Sequence, residues 1–272
     1  MPAFFAYFLF WQKKVGGVTW EDLDKARDNN SIVIIPVGST EQHGPHLPVG
    51  TDTFLVYQIV KDSVKKISQQ NIIYTSPVWT GLSPYHMDFN GTITIDLKLL
   101  IDYITAICQC ISKHGFKKIL FLNGHGGNIN ILKSISIELK SKYNIRPVFM
   151  SYWDPVIDFI QKWRESEPGG IDHACEMETS LMLYKFNNLV KKEKIKKSIF
   201  FPKSKYLAED LIIGGIASAP ADVIEINNTG VFGDPTLASE KKGEELYTKI
   251  VDAFCEFLIE FQKWDIDNPV NL

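Results

Sequence analysis

Short apolar runs alternate along the chain with longer amphipathic stretches, and several of these runs end in a polar, glycine-containing loop. Ile32–Val37 (IVIIPV), residues 72–78, residues 118–122 (KILFL) and residues 147–151 read as strands. An unbroken apolar run of this length is the pattern of a strand covered on both faces. Between them, residues 53–68, 96–114 and 129–142 carry apolar positions at helical spacing; in the second these are Leu99, Leu100, Tyr103, Ile104 and Ile107. Thr19 is placed to cap a short helix opening Trp20-Glu21-Asp22, and His114-Gly115 reads as a helix stop. A helix is predicted from about residue 154 to the turn Pro168-Gly169-Gly170, another over residues 172–186, and a terminal amphipathic one over roughly 237–264. Residues 187–234 are the least regular part, and the turn Asn90-Gly91 precedes a further short strand. This alternation predicts an α/β fold with a mostly parallel central sheet, whose ligands gather where strands end and loops begin. With no repeat, linker or boundary visible, residues 1–272 are expected to form a single domain.

Composition narrows the function classes. Hydrophobic residues make up 45% and charged residues 22% of the 272, as in an ordinary globular protein. The formal charge of −3 gives no electrostatic case for nucleic acid. The four cysteines form no C-x-x-C pair, and a reducing cytoplasm is the expected compartment. The N-terminal segment, 1–18, begins MPAFFAYFLFWQKK; it lacks a basic leader region and is too short in its apolar part to span a bilayer. It is expected to be a buried arm or a subunit contact, with no membrane involved.

The chemistry concentrates in three places. GSTEQHGPHLPVGTD, residues 38–52, follows the first strand and offers Glu41, His43, His46 and Asp52. In extended chain Glu41 and His43 point one way and Gln42 another. Imidazole with carboxylate suits zinc, manganese or iron(II). Asp52 has a second reading, as the cap of the helix it precedes. NGHGGN, residues 123–128, places His125 at a strand end; it lacks the G-x-G-x-x-G spacing of a dinucleotide cradle. In HACEMETS, counting about 100° per residue puts Ala174, Met177, Leu181 and Met182 on one stripe with Glu178 inside it and Glu176 roughly opposite. An acid turned into a core must be paired or bind metal. Glu178 is therefore a ligand candidate or half of a buried salt bridge. Glu176 supports the site beside His173 or faces solvent. His173 is either an acid/base group or a polar residue at a helix start, while Ser83 and His86 sit in a long loop.

Together with TGVFGDPTLAS near the C-terminus, these motifs resemble the creatininase (creatinine amidohydrolase) family over most of the chain. The resemblance implies a three-layer αβα sandwich, often assembled as a homo-hexamer. It implies hydrolysis of a non-peptide C–N bond in a small cyclic amide, lactam or formamide by water activated at two divalent metal ions, zinc first, manganese or iron otherwise. Position by position it makes Glu41, His43, Asp52, His125 and Glu178 metal ligands, with Asp52 bridging, and His173 an active-site residue; Glu176 is placed beside it as the second catalytic candidate. Gly127 stands where creatininase itself has a glutamate, a departure that points away from creatinine as substrate, and Cys175 stands where glycine is usual. Two rivals use the same residues: a catalytically silent metabolite-binding protein of this fold, and a mononuclear iron oxygenase with two histidines and one carboxylate.

Overall fold

The computed structural model describes residues 13–207, 210–268 and 270. Most of the predicted apolar arm, residues 1–12, lies outside the described residues. Four parallel strands form the central sheet in the order β2-β1-β3-β4, where β1 is Ile32–Val37, β2 Ile72–Tyr74, β3 Lys118–Asn123 and β4 Val148–Ser151. β1 and β3 pair over their whole length, Ile32 with Lys118 through Val37 with Asn123. The predicted strand over 72–78 stops at Tyr74, and only Val78 returns to bridge Val37. Pro77, which has no N–H to donate, lies within that break. The short strand expected after Asn90-Gly91 is likewise a single bridge, Thr40 with Ile93.

Alternation along the strands sorts the core into two layers. Ile32, Ile34, Leu120 and Leu122 face α2 (Thr51–Lys66), α6 (Glu176–Lys185) and the long α8 (Glu240–Phe261). Ile35, Val37, Ile119 and Phe121 face α3 (Leu97–Lys113) and α4 (Ile129–Tyr143), while Val33 and Ile73 pack with Leu23 and Ala26 of α1 (Trp20–Asp28). The result is the three-layer αβα sandwich. Thr19 caps α1 in a capping box with Asp22, and Asp96 accepts from the N–H groups of Lys98 and Leu99 at the start of α3.

The region after β4 departs most from expectation. The predicted long helix from residue 154 is a 3-10 turn followed by the short α5 (Ile157–Trp163). The predicted helix over 172–186 begins only at Glu176; Ile171–His173 is instead strand β5, paired antiparallel with β6 (Phe232–Gly233). Ala174, at φ 51°, breaks the chain direction between strand and helix. Within the irregular stretch a four-residue helix, α7 (Val223–Ile226), is closed by a capping box of Asp222 and Glu225. Among the described residues no helix is long and apolar enough to cross a membrane.

Candidate metal centre

The sheet's C-terminal edge collects the polar motifs. Glu41 and His43 lie in the loop after β1, Asp52 in the first turn of α2, and His86 in a 3-10 turn beyond β2. His125 follows β3, His173 ends β5, and Glu178 stands in the first turn of α6. Sequence separation of more than 130 residues disappears at this edge. Three groupings have ligand atoms all within 4.8 Å of one another: Glu41–Asp52–His125, His43–His173–Glu178 and Glu41–His86–His173.

Asp52 joins the first two groupings. Its Oδ1 lies 3.0 Å from His43 Nε2, which is 3.6 Å from Glu178 Oε1. Its Oδ2 lies 3.2 Å from His125 Nδ1, itself 3.2 Å from Glu41 Oε2. Asp52 does not cap α2; the N-cap position is Gly50 and no side chain bonds there.

Backbone carbonyls orient the rings. His43 Nδ1–H donates to the Glu41 carbonyl at 3.0 Å, which leaves the Nε2 lone pair for the cluster. His125 Nε2–H donates to the Leu82 carbonyl at 3.2 Å, leaving Nδ1. His173 Nε2–H donates to the Gln42 carbonyl at 2.6 Å, and its Nδ1 stands 3.5 Å from Glu41 Oε1. Such a bond on the far nitrogen is what fixes a metal-ligating imidazole in its tautomer and orientation. The Gln42 amide lies beside the cluster's outer rings, 3.2 Å from His173 Nε2, and donates to His86 Nδ1 at 2.8 Å and to the Gly230 carbonyl at 3.0 Å. His86 therefore keeps its proton on Nε2, which faces Glu41 Oε1 at 3.4 Å. Gly230, at φ 71°, is glycine by necessity, because a side chain there would collide with Gln42.

The donor set fits a divalent metal. Both Glu41 oxygens and Asp52 Oδ2 are buried without a hydrogen-bond partner among the described residues, although imidazole nitrogens face them at short range. Buried carboxylates with open lone pairs are costly unless a cation answers them. Burial opposes charge on Glu41, but His125, His86 and His173 outweigh it and hold its carboxyl well below the usual range. Burial likewise opposes protonation of His43 and His125, yet the facing carboxylates raise both well above an ordinary imidazole. The pocket thus calls for positive charge, from protons or from metal.

Other candidates fall outside. His46 is buried against Thr179 Oγ1 at 2.8 Å, and burial pushes its pKa down to about 4; it joins none of the three groupings. Ser83 shares a hydrogen bond of 2.7 Å with Ser39. Glu176 corrects the helix-wheel expectation of a solvated acid. It is wholly buried, accepts from the N–H groups of Glu165 at 3.1 Å and Ser166 at 3.0 Å, and pairs with Lys242 of α8. It belongs to none of the three groupings, and its contacts hold α6 to its surroundings. A catalytic role for Glu176 is withdrawn on that geometry.

Tyr85, unmarked in the sequence, and His86, placed there only in a long loop, also bear on the site. His86 bears on Glu41 as described, and burial pushes its pKa down to about 3, keeping the ring neutral. Tyr85 lines the cavity with its pKa pushed up to about 12 by burial, so its hydroxyl stays a donor. A Cβ on Gly127 would lie 2.5 Å from that hydroxyl and 2.5 Å from His125 Nε2. The space for a glutamate at this position is already filled.

Such a cluster at the carboxyl edge of a parallel sheet defines an α/β protein with a candidate metal-binding site. The family model for creatinine amidohydrolase matches residues 17–258, and the chain belongs to the creatininase family of hydrolases. It is 31% identical to 3-dehydro-scyllo-inosose hydrolase of Thermotoga maritima over 81% of this chain and 74% of that protein. It is 29% identical to the mycofactocin precursor peptide peptidase of Mycobacterium tuberculosis, over 81% of each. To the creatinine amidohydrolase of Pseudomonas putida it is 26% identical, over 90% and 96%. A manganese creatininase structure superposes with a TM-score of 0.77 at 24% identity, covering 93% of this chain and 99% of the other. A creatininase variant of Zn–Zn type gives the same score, covering 92% and 98%.

Proposed function

We propose that this chain hydrolyses the amide bond of a small molecule, a cyclic amide, lactam or formamide, at a centre of two divalent metal ions, zinc by preference. Glu41, Asp52 and His125 would hold one ion and His43, Asp52 and Glu178 the other. The observation that carries this reading is the position of Asp52, whose two oxygens each face a separate group of ligand atoms. Bound there, the ions would supply Lewis acidity, polarising a carbonyl and acidifying water.

The protein's own residues do the rest. Glu41 and Asp52 present open lone pairs at buried positions, where electrostatic interactions are strong. His173 is pressed toward its neutral form by burial and by the neighbouring His43, whose ring centroid is 4.3 Å away. With Nε2–H held by Gln42, only Nδ1 is open to take a proton and return it to a departing nitrogen. Tyr85 offers a neutral donor beside His125 for a substrate oxygen.

Asp52→Ala tests the reading. Metal analysis of the purified variant is expected to show both ions lost; two ions retained per chain would refute the bridging role. His173→Ala is expected to keep its metal while kcat falls by about 10² to 10⁴, and metal loss in that variant would make His173 a ligand instead. We further read the chain as a cytoplasmic homo-oligomer, a hexamer by the family resemblance. Exposed Leu97, Leu99 and Tyr103 on α3 support a subunit contact there, which light scattering of the eluted protein tests.

A further inference from the structure

The cavity over the cluster has a volume of about 580 Å³, within the range that encloses a drug-sized ligand. Its floor is the acids and imidazoles already described. The facing wall is apolar, built from Leu211, Ile216, Val223, Ile226 and Phe232, with Trp153 also in the lining. Among the described residues no lysine or arginine lines it. Apart from the cluster, the polar lining includes the neutral Tyr85 hydroxyl, Ser218 and the acid Asp172, whose charge reaches Tyr85 and Cys175.

A phosphate or carboxylate on the non-reacting part of a substrate is normally met by a guanidinium, an ammonium or a cradle of backbone N–H groups. Beside residues 215–221, which also line the cavity, the glycine turn after β3 is a place where such a cradle would be sought. It is closed: the Tyr85 hydroxyl and His125 fill the space at Gly127, and Leu211 packs over Gly126. An anionic substituent lying against these apolar side chains would exchange water for aliphatic surface, with no lysine or arginine among the described lining residues to meet it, a costly transfer. An apolar substituent gains on the same wall.

We infer that the substrate, on the hydrolase reading above, is an uncharged amide bearing a sizeable apolar body, without phosphate or carboxylate on the part that enters the cavity. Acetohydroxamate, benzohydroxamate and 4-carboxybenzohydroxamate share one chelating head and differ only in body. Their binding to the zinc-loaded protein, measured by titration calorimetry, tests the inference. Benzohydroxamate is expected to bind at least about tenfold more tightly than acetohydroxamate. The carboxylated probe is expected to bind at least about fivefold more weakly than benzohydroxamate. Ile216 is 83% exposed, so Ile216→Arg leaves the fold intact. That variant is expected to tighten the carboxylated probe about fivefold, with acetohydroxamate unchanged. Equal affinities for all three probes, or tightest binding of the carboxylated one, would overturn this inference alone. If zinc does not load, or no hydroxamate binds at all, the hydrolase reading falls and takes this one with it.

Discussion

At the scale of single residues, Gly127 shows how one backbone position shapes a metal site. A methyl group there meets His125 and Tyr85 at 2.5 Å, so Gly127→Ala is expected to push the His125 ring out of line. Overpacking of this kind costs about 1–3 kcal/mol, and thermal melts together with metal analysis should show both lower stability and partial loss of metal. The two glutamates of α6 make a sharper contrast. Glu178→Gln is expected to lose metal while melting near the temperature of the metal-free natural protein. Glu176→Gln leaves the Lys242 ammonium, only 13% exposed, with the exposed Glu165 carboxylate at 2.9 Å as its remaining charge partner. Removing one of its two acids in this way is expected to cost about 1–3 kcal/mol, which urea unfolding would read. The helix wheel misjudged what lies opposite the apolar stripe, where Glu176 is as buried as Glu178. It describes one helix, and the segment at 165–166 and α8, which cover Glu176, come from elsewhere in the chain. Tyr85 left no trace in the sequence, and His86 showed there only as a loop residue, because their roles come from Gln42 and Gly127, partners brought near only by the fold.

At the scale of elements, one half-buried anion ties three helices together. Asp62 of α2 accepts from Lys185 of α6 at 2.8 Å and from the Tyr247 hydroxyl of α8 at 2.7 Å. Burial works against its charge, but these donors and Gln58 prevail and lower its pKa. A carboxylate with a depressed folded-state pKa adds stability above its unfolded value, near about 3.9, and loses it as pH falls through the folded value. Asp62→Asn should therefore be less stable than the natural protein at neutral pH. Because the side chain keeps 29% exposure, the difference is expected to be on the order of 1 kcal/mol. Denaturant midpoints measured from pH 7 downward should converge below about pH 4; a constant gap would remove the ionic explanation. Elements were legible where pattern and packing agree. Ile32–Val37 and the parallel sheet followed from unbroken apolar runs, whereas Ile171–His173 was hidden because its partner, Phe232–Gly233, lies some sixty residues away.

Across the whole molecule, the candidate ligands come from four separate stretches: the loop after β1, the start of α2, the turn after β3 and the start of α6. Whatever ties them together acts on the folded state alone, so a bound metal should raise overall stability by mass action. At a free concentration a hundredfold above Kd the gain is about 2.7 kcal/mol. Chelator treatment is expected to lower the melting temperature accordingly, with recovery on adding zinc; no change would place the metals outside the folded core. The motif positions were readable in the sequence because metal chemistry restricts residue types. The cavity wall was not, since residues 187–234 carry neither periodicity nor a restricted alphabet, and aliphatic side chains acquire meaning only by what they face.

The three imidazoles of the two principal groupings and of His173 are each aimed by a peptide carbonyl, from Leu82, Glu41 and Gln42. A main-chain oxygen stays in place whatever side chain its residue carries. Drift in the surrounding sequence can therefore reshape the entrance and its selectivity while the reactive head keeps its aim. For an engineer this separates two tasks: new substrates are sought by rewriting the stretch between α6 and β6, and the histidines need no readjustment.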